Sequence, residues 1–318
     1  MWLRFRLYFL LTIMFGIVYS MIVVLANIMG ISGFMFYAVL AGGITIVQYM
    51  VGPKMVEWSM GVRYVSESEA PVLHSMVGDL AQKAGISKPK VGISRMNIPN
   101  AFAFGRGGRD GRVCVTEPIM RLLNREELRA VLGHEISHLR NRDVATITML
   151  SVIPMILWYV AWNFMFSRDR EGNNTAIIGI VAFILYFITN LLVLYASRIR
   201  EYYADIGSVR LGNTPHDMAS ALYKLVYGNA KVPKEELKQI EGYKAFFAND
   251  PSRAVNELRD LRQVDIDMSG AIDEGELKAL GSTGVKIKTT DKLMEILSTH
   301  PNMVKRVKHL SELAHGRA

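Results

Sequence analysis

Two histidines with a glutamate between them are the residues of this chain best suited to do chemistry. They are His134, Glu135 and His138. Residues four apart lie on one face of a helix, so the two imidazoles could hold one metal ion while the carboxylate beside them acts as a general base. Only 7 of the 318 residues are histidines, which disfavours the alternative of two unrelated histidines on an ordinary helix.

A helix over residues 125–142 is predicted to position this pattern. Asn124 is a suitable N-cap, and Glu127 stands where a capping-box acid reaches back to the N-cap backbone. Apolar residues at helical spacing predict a buried stripe on this helix. The stripe consists of Leu128, Val131, Leu132 and Ile136.

A catalytic zinc site needs three protein ligands and a water, so one ligand must come from another part of the chain. The candidates are Glu201 and Asp205, which are four apart in the charged segment 198–205. We expect Glu201 to bind the zinc and Asp205 to accept the free ring N–H of a ligating histidine. The alternative is a solvated helix start with local ion pairs to Arg198 and Arg200.

Long uncharged runs predict a membrane protein. Half of the residues are hydrophobic, the mean hydropathy is +0.19, and no charged residue occurs between Arg6 and Lys54. A run of about 20 apolar residues spans a bilayer. We therefore predict four transmembrane helices, over residues 7–29, 33–52, 144–166 and 175–197. The hairpin of the third and fourth spans would bring the histidine helix and the segment 198–205 together.

The charges that flank the spans set the predicted orientation. Basic residues stand before the first span, before the third and after the fourth. The positive-inside rule then places both termini and the polar segments 53–143 and 198–318 in the cytoplasm of a multi-pass protein of the cell membrane. These scattered bases also account for the net charge of +8, so nucleic-acid binding is not expected. The single Cys114 excludes an intramolecular disulfide and fits a reducing compartment.

The two polar segments are predicted to fold together, because neither contains a complete site. Helix-like sequence over 70–84 leads into three β-rich runs, over 90–95, 101–104 and 112–116. The glycine-rich residues 105–111 predict a turn between the last two runs, and the second polar segment is mostly helical. The predicted fold class is a mainly α membrane protein with four transmembrane helices and a cytoplasmic α+β domain.

Several motifs resemble those of the HtpX-type integral-membrane zinc metalloproteases, which are related to the CAAX prenyl endopeptidases. The matching segments are 100–105, 133–138, 201–205 and 298–301, in the order of the family. The position of the active helix directly before the third span is also similar to HtpX. The resemblance covers nearly the whole chain. It implies a gluzincin-type zinc peptidase domain, one zinc ion per subunit, and quality-control cleavage of membrane or misfolded proteins during stress.

The resemblance also implies roles for residues other than the zinc ligands. In the family an edge strand pairs with extended substrate through backbone hydrogen bonds, which suits broad specificity. His300 and Arg306 correspond to residues at the family's site, and both are candidates to stabilise the oxyanion, with His300 favoured. The residues of the edge strand are Asn100, Ala101, Phe102 and Ala103.

One segment departs from the pattern of this family. Residues 265–276 match an EF-hand loop, with Gly270 at position 6 and Ile272 at position 8. Helices are predicted on either side, over 255–264 and 274–280. The alternatives are an acidic surface loop or a degenerate hand, since the sequence contains no second EF-hand. The candidate calcium ligands are Asp265, Asp267, Ser269, Ala271, Asp273 and Glu276.

The predicted function is zinc-dependent cleavage of polypeptides, membrane proteins among them, by an endopeptidase that contacts the lipid bilayer. Calcium is a second candidate cofactor. The alternative is a calcium-responsive membrane sensor whose metal site is not catalytic. Glu135 disfavours this alternative, because metal binding alone needs no base there. A transport protein is disfavoured because the predicted spans contain no charged residue.

Overall fold

The computed structural model describes residues 34–106, 108–166, 175–239, 247, 249–280 and 289–316. The chain forms two compact units. The apolar unit comprises residues 1–51 and 145–199, and the polar unit comprises residues 52–144 and 200–318. The predicted first span, 7–29, lies outside the described residues.

Helices predominate among the described elements, and all four strands belong to the polar unit. In chain order the elements are α1 (Phe34–Ser59), β1 (Val62–Tyr64), α2 (Pro71–Ala84), β2 (Lys90–Ser94), β3 (Ala101–Phe104), β4 (Arg112–Thr116), α3 (Glu117–Leu122), α4 (Arg125–Asn141), α5 (Asp143–Phe166), α6 (Thr175–Arg210), α7 (Pro215–Ala230), α8 (Lys234–Gln239), α9 (Ala254–Leu261), α10 (Glu274–Leu280), α11 (Thr289–Ile296) and α12 (Met303–Ala314). Single turns of 3₁₀ helix occur at Gly108–Asp110 and Pro251–Arg253.

Two of the described helices are long and apolar enough to cross a membrane, over Asp143–Trp162 and Ala176–Arg210. They coincide with the regions predicted as the third and fourth spans. The helices extend past two predicted span ends, because α1 continues through Pro53 to Ser59 and α6 continues without a break to Arg210. A charged residue ends an apolar run but does not end a helix, so the candidate ligand Glu201 stands on α6 itself.

A four-stranded sheet of order β1-β2-β4-β3 lies in the polar unit. β2 and β4 are parallel, and β3 pairs antiparallel with β4, with Phe102 opposite Cys114. The three predicted β-rich runs are confirmed as strands, except that Arg95 lies outside β2. β1 has only 3 residues, too few to show an alternating pattern, and it is missing from the sequence prediction. The segment expected to pair with substrate, β3, is an edge strand.

The helix α4 is held at its start and along its length. The predicted capping box is present: the Glu127 amide donates to Asn124 Oδ1 (2.8 Å), and the Asn124 amide donates to Glu127 Oε2 (2.9 Å). The predicted stripe is buried and packs with residues of α2 and the sheet, among them Leu80 and Val115. Each such side chain contributes about 1.5–3 kcal/mol on burial, so the histidine helix has a rigid support.

A second core cluster joins the helices at the C-terminal end of the polar unit. The helix α7 begins with Thr214 as N-cap and Pro215 in its first turn. Its residues Leu222 and Val226 pack with apolar residues of α9, α10 and α12. The helix before the EF-hand-like loop, α9, ends at Leu261, three residues earlier than predicted. The cluster fixes α12, which carries Arg306, against the rest of the polar unit.

Candidate metal centre

His134, His138 and Glu201 bring one ligand atom each to a common point, all within 4.8 Å of one another. The two histidine Nε2 atoms are 3.1 Å apart, and they lie 3.4 and 3.5 Å from the two carboxylate oxygens of Glu201. Two ligand atoms bound to zinc at 2.0–2.1 Å with a tetrahedral angle are roughly 3.3–3.4 Å apart. The spacing and the donor set of two nitrogens and one oxygen therefore fit a tetrahedral zinc ion.

The second nitrogen of each candidate ligand ring, in His134 and His138, faces a carboxylate. Asp205 Oδ1 lies 2.8 Å from His134 Nδ1, as predicted for this acid, and Asp143 Oδ2 lies 2.5 Å from His138 Nδ1. These contacts fix the ring orientations and leave both Nε2 atoms for a metal. Arg200 Nε in turn lies 3.1 Å from Asp143 Oδ1.

The role of Asp143 is missing from the sequence analysis. This residue follows Arg142, which ends α4 in the left-handed conformation with φ 55°. The helical periodicity that relates His134 to His138 is therefore interrupted before Asp143. The only sequence signal is an acid within five residues of a candidate ligand, which is too common to select one residue.

Arg306 is fully buried behind the ligands. Its Nε and Nη2 lie 2.9 and 2.6 Å from the two carboxylate oxygens of Asp205, and its Nη1 lies 3.1 Å from Glu201 Oε2. Burial alone would lower the pKa of Arg306, but the Asp205 and Glu201 carboxylates raise it above its ordinary value. The guanidinium therefore remains charged and is directed at the acids that support and form the metal site.

His300 is buried beside the same ligand. Its Nδ1 lies 3.6 Å from Glu201 Oε2, and its backbone N–H donates to Ser298 Oγ (3.2 Å). The serine thus shapes the turn before Pro301. The structure brings His300 to the metal centre from a segment almost 100 residues after Glu201.

Glu135 is buried next to the ligands and contacts the edge strand. Burial raises the pKa of its carboxyl group, although the neighbouring histidines and a hydrogen bond from the Ala103 amide act in the opposite direction. Among the strand residues expected to bind substrate, Ala101 and Phe102 are buried and Ala103 is half-buried. Asn100 is fixed to β4, since its amide donates to Thr116 Oγ1 (3.0 Å) and its carbonyl accepts from the Thr116 amide (2.9 Å).

Neighbouring carboxylates increase the affinity of His134 for a proton. Burial lowers the pKa of His134, but its contacts with Asp205 and Glu201 outweigh this effect and raise the pKa to about 9. A ligating imidazole must be neutral, so metal binding at neutral pH releases a proton from this ring.

The two ligand-bearing helices meet through small residues. A Cβ added to Gly207 of α6 would lie 2.6 Å from Ser137 Cβ, and one added to Gly133 of α4 would lie 2.8 Å from Ser208 Oγ. Ser208 Oγ also donates to the carbonyl of Ala130 (2.6 Å), directly between the two helices. This close approach allows the short Glu201 side chain to reach the histidines.

The candidate calcium ligands lie at a separate place in the polar unit. Asp265, Asp267 and Glu276 bring one carboxylate oxygen each within 4.8 Å of the others. Asp273 Oδ1 instead accepts a hydrogen bond from the Glu276 amide (2.7 Å). Ser269 Oγ lies 3.3 Å from the carbonyl oxygen of Ala271.

Comparison with known proteins identifies peptidases. The family described as Peptidase family M48 matches residues 67–314. The Protease HtpX homolog of Methanothermobacter thermautotrophicus is 53% identical over 224 residues, 70% of this chain and 86% of that protein. The Protease HtpX homolog of Moorella thermoacetica is 34% identical over 286 residues, 87% of this chain and 82% of that protein.

Among solved structures, S. mikatae Ste24p aligns with a TM-score of 0.48 and 14% identity over 93% of this chain and 62% of that chain. The sequence matches to peptidases give no support to the alternative of a calcium-responsive sensor with a non-catalytic metal site.

Gly207→Ala is expected to weaken metal binding, because the added methyl group meets Ser137 and forces α6 away from α4. Overpacking costs about 1–3 kcal/mol, so we expect the zinc affinity to fall about tenfold and Tm to decrease. Gly78→Ala is the matched control, since its nearest neighbour atom would be 3.8 Å away. Calorimetric titration with zinc measures the affinity. Equal affinity in Gly207→Ala and wild type would contradict the close-packing argument.

Asp143→Asn is expected to weaken zinc binding about 10–100-fold, because the neutral amide orients the His138 ring less strongly. The exposed acid Asp79, which pairs with Lys83 and Arg129, provides the control Asp79→Asn with unchanged affinity. Competition with a zinc chelator measures both variants. An Asp143→Asn protein that binds zinc as tightly as wild type would show that other groups orient His138.

Proposed function

This chain belongs to peptidase family M48, among its HtpX-type proteases, and we propose that it is a membrane-embedded zinc endopeptidase that cleaves membrane or misfolded proteins at the cytoplasmic face. The arrangement that carries the proposal is three ligand atoms at tetrahedral spacing with Glu135 buried beside them, outside the ligand set. A site that only stored or sensed a metal would not need this buried acid.

Zinc held by His134, His138 and Glu201 would polarise the peptide carbonyl and lower the pKa of a water from 15.7 to about 7. Glu135 accepts the proton of the attacking water and delivers it to the nitrogen of the leaving amine. The burial that raises the pKa of Glu135 supports this role, because a general base works best when its pKa is close to the operating pH.

We assign different roles to the two residues considered for the oxyanion. Arg306 is a positioning residue, since its guanidinium faces Asp205 and Glu201 and it has no exposed surface. His300 remains the proposed donor to the oxyanion, because it lies beside Glu201 at the edge of the ligand set. This assignment replaces the expectation from sequence that either residue could stabilise the oxyanion.

The proposed substrate is an extended polypeptide that pairs with β3. This strand is at the edge of the sheet, and its Ala103 amide reaches Glu135. A peptide added along Asn100–Ala103 would therefore lie next to the general base. Backbone hydrogen bonds recognise extended chains irrespective of side chains, which suits proteins that are diverse and misfolded.

The proposed topology has four spans, with the polar unit and both termini in the cytoplasm of a cell-membrane protein. The two apolar helices over Asp143–Trp162 and Ala176–Arg210 support two of these spans. The basic residues around them support the orientation. The lipid bilayer is thus a proposed partner, and substrates within it would reach the site from the membrane.

Glu135→Gln is expected to lose casein-cleaving activity by at least 100-fold while zinc stays bound, because the amide cannot accept the proton of the attacking water and is not a ligand. Glu126→Gln changes an exposed acid on the same helix and should leave both properties unchanged. Activity and zinc content are measured on protein purified in detergent. Retained turnover in Glu135→Gln would refute the proposed role of this acid.

Glu201→Ala is the complementary variant of the same experiment. It removes a ligand, so zinc content and activity should fall together. If zinc affinity were unchanged, the third ligand would be misassigned, and Asp205 would be the next candidate.

The orientation predicts which introduced cysteines react from outside the cell. A cysteine at Asn173, between the predicted third and fourth spans, should react with an impermeant maleimide in intact cells, whereas one at Gly316 should react only after permeabilisation. The native Cys114 is buried and gives little background. The reverse labelling would overturn the orientation, and an unlabelled Asn173 cysteine would indicate a hairpin that does not cross the membrane.

A further inference from the structure

The loop Asp265–Glu276 carries donor groups that peptide hydrolysis does not use. It follows α9 in the polar unit and ends in the first turn of α10, far from the zinc ligands in sequence. We propose that this loop binds one calcium ion and that the ion stabilises the packing of α10 against α12, the helix of Arg306. This inference concerns a second metal site and does not depend on the catalytic role of the first.

Three carboxylates of the loop converge at the positions that an EF-hand uses. Asp265, Asp267 and Glu276 occupy positions 1, 3 and 12, and one oxygen of each lies within 4.8 Å of the others. The loop already has the required turn: Gly270 at position 6 has φ +80°, and its amide donates to Asp265 Oδ2 (3.1 Å). The Ser269 amide donates to Asp267 Oδ1 (2.9 Å) in the same turn.

The burial of these acids is an independent indication of a cation site. Asp265 and Glu276 are only 5% and 8% exposed, and Asp265 Oδ1 has no hydrogen-bond partner among the described residues. No Lys or Arg nitrogen of the described chain lies within 4.0 Å of Asp265, Asp267 or Glu276. The backbone amides of Ile266 and Asp273 donate to the two carboxylate oxygens of Glu276 (2.6 and 3.2 Å). Two buried carboxylates with no cationic side chain beside them are nevertheless costly, and a divalent cation would balance their charge.

The donor types select calcium over the other common cations. All candidate ligands are oxygen atoms, since the loop contains carboxylates, the Ser269 hydroxyl and the Ala271 carbonyl but no histidine or cysteine. Calcium accepts 6–8 oxygen ligands in a flexible arrangement, and a glutamate at position 12 can bind it through both oxygens. Magnesium requires a smaller octahedron and keeps several waters, so a loop of this size fits it less well.

The helices that flank the loop are already packed into the core, which distinguishes this hand from a sensor. Ile272, Leu277 and Leu280 belong to the same buried cluster as Met303 and Val307 of α12. A sensor hand opens to expose an apolar groove, but here the apolar faces are covered by the protein itself. The hydrophobic core covers the apolar surface that a second EF-hand would cover in a pair. Calcium is therefore expected to strengthen the existing contacts between α10 and α12.

The test is calcium titration of the full chain in detergent, loaded with zinc and depleted of calcium. We expect a binding heat with one site per chain and a rise in Tm of roughly 5–10 °C when calcium exceeds its Kd a hundredfold. Amide exchange in α10 and α12 should slow on calcium binding. Absence of binding heat and of a Tm shift at millimolar calcium would overturn the proposal, as would an equal effect of magnesium.

Variants test whether the calcium ion binds in this loop or elsewhere in the protein. Asp265→Asn combined with Glu276→Gln should abolish the heat and the Tm shift, whereas Glu274→Gln, at a non-ligand position beside them, should retain both. If the double variant does not fold, Asp267→Asn at an exposed ligand should still weaken binding at least tenfold. A calcium effect that persists unchanged in these ligand variants places the ion elsewhere and refutes the site. Binding without slowed exchange in α12 refutes the coupling to that helix.

Discussion

A guanidinium with no exposed surface stays charged only when carboxylates surround it, because an isolated buried charge is too costly. Arg306 is such a guanidinium, and the carboxylates of Asp205 and Glu201 supply the compensating negative charges. Loss of one partner from such a buried pair costs about 3–5 kcal/mol. The end of α6 and the helix α12 are therefore held together by charge as well as by apolar packing. The orientation of His134 follows, since Asp205 also contacts its ring.

His138 is supported in the same way as His134. Arg200 contacts Asp143, and Asp143 contacts the His138 ring. Both chains of contacts run from a cation through an acid to an imidazole, and each fixes the orientation of a candidate ligand. They differ in burial, since the Arg306 side chain has no exposed surface and that of Arg200 is 12% exposed. The site thus needs three distant stretches of sequence, and it is complete only when the last helix has docked.

Local patterns could be read from the sequence because their physical causes are local. The capping box at Asn124 and the shared face of His134 and His138 depend on residues a few positions apart, whereas the edge strand was expected from the family resemblance. Asp143 was missed because a left-handed residue separates it from the helical period. The contacts of Arg306 could not be predicted, because they join residues about 100 and 170 positions apart. The ends of α1 and α6 could not be predicted from the apolar runs, because both helices continue past them.

The contact between Ala103 and Glu135 connects substrate recognition to the strength of the base. The Ala103 amide is one donor, and its hydrogen bond lowers the pKa of Glu135 against the opposing effect of burial. A peptide that pairs with β3 at this residue would compete for that donor and exclude water from the carboxylate. Both changes disfavour the charged form and raise the pKa further. On the proposed function, Glu135 would therefore be a stronger base when an extended chain occupies the edge strand.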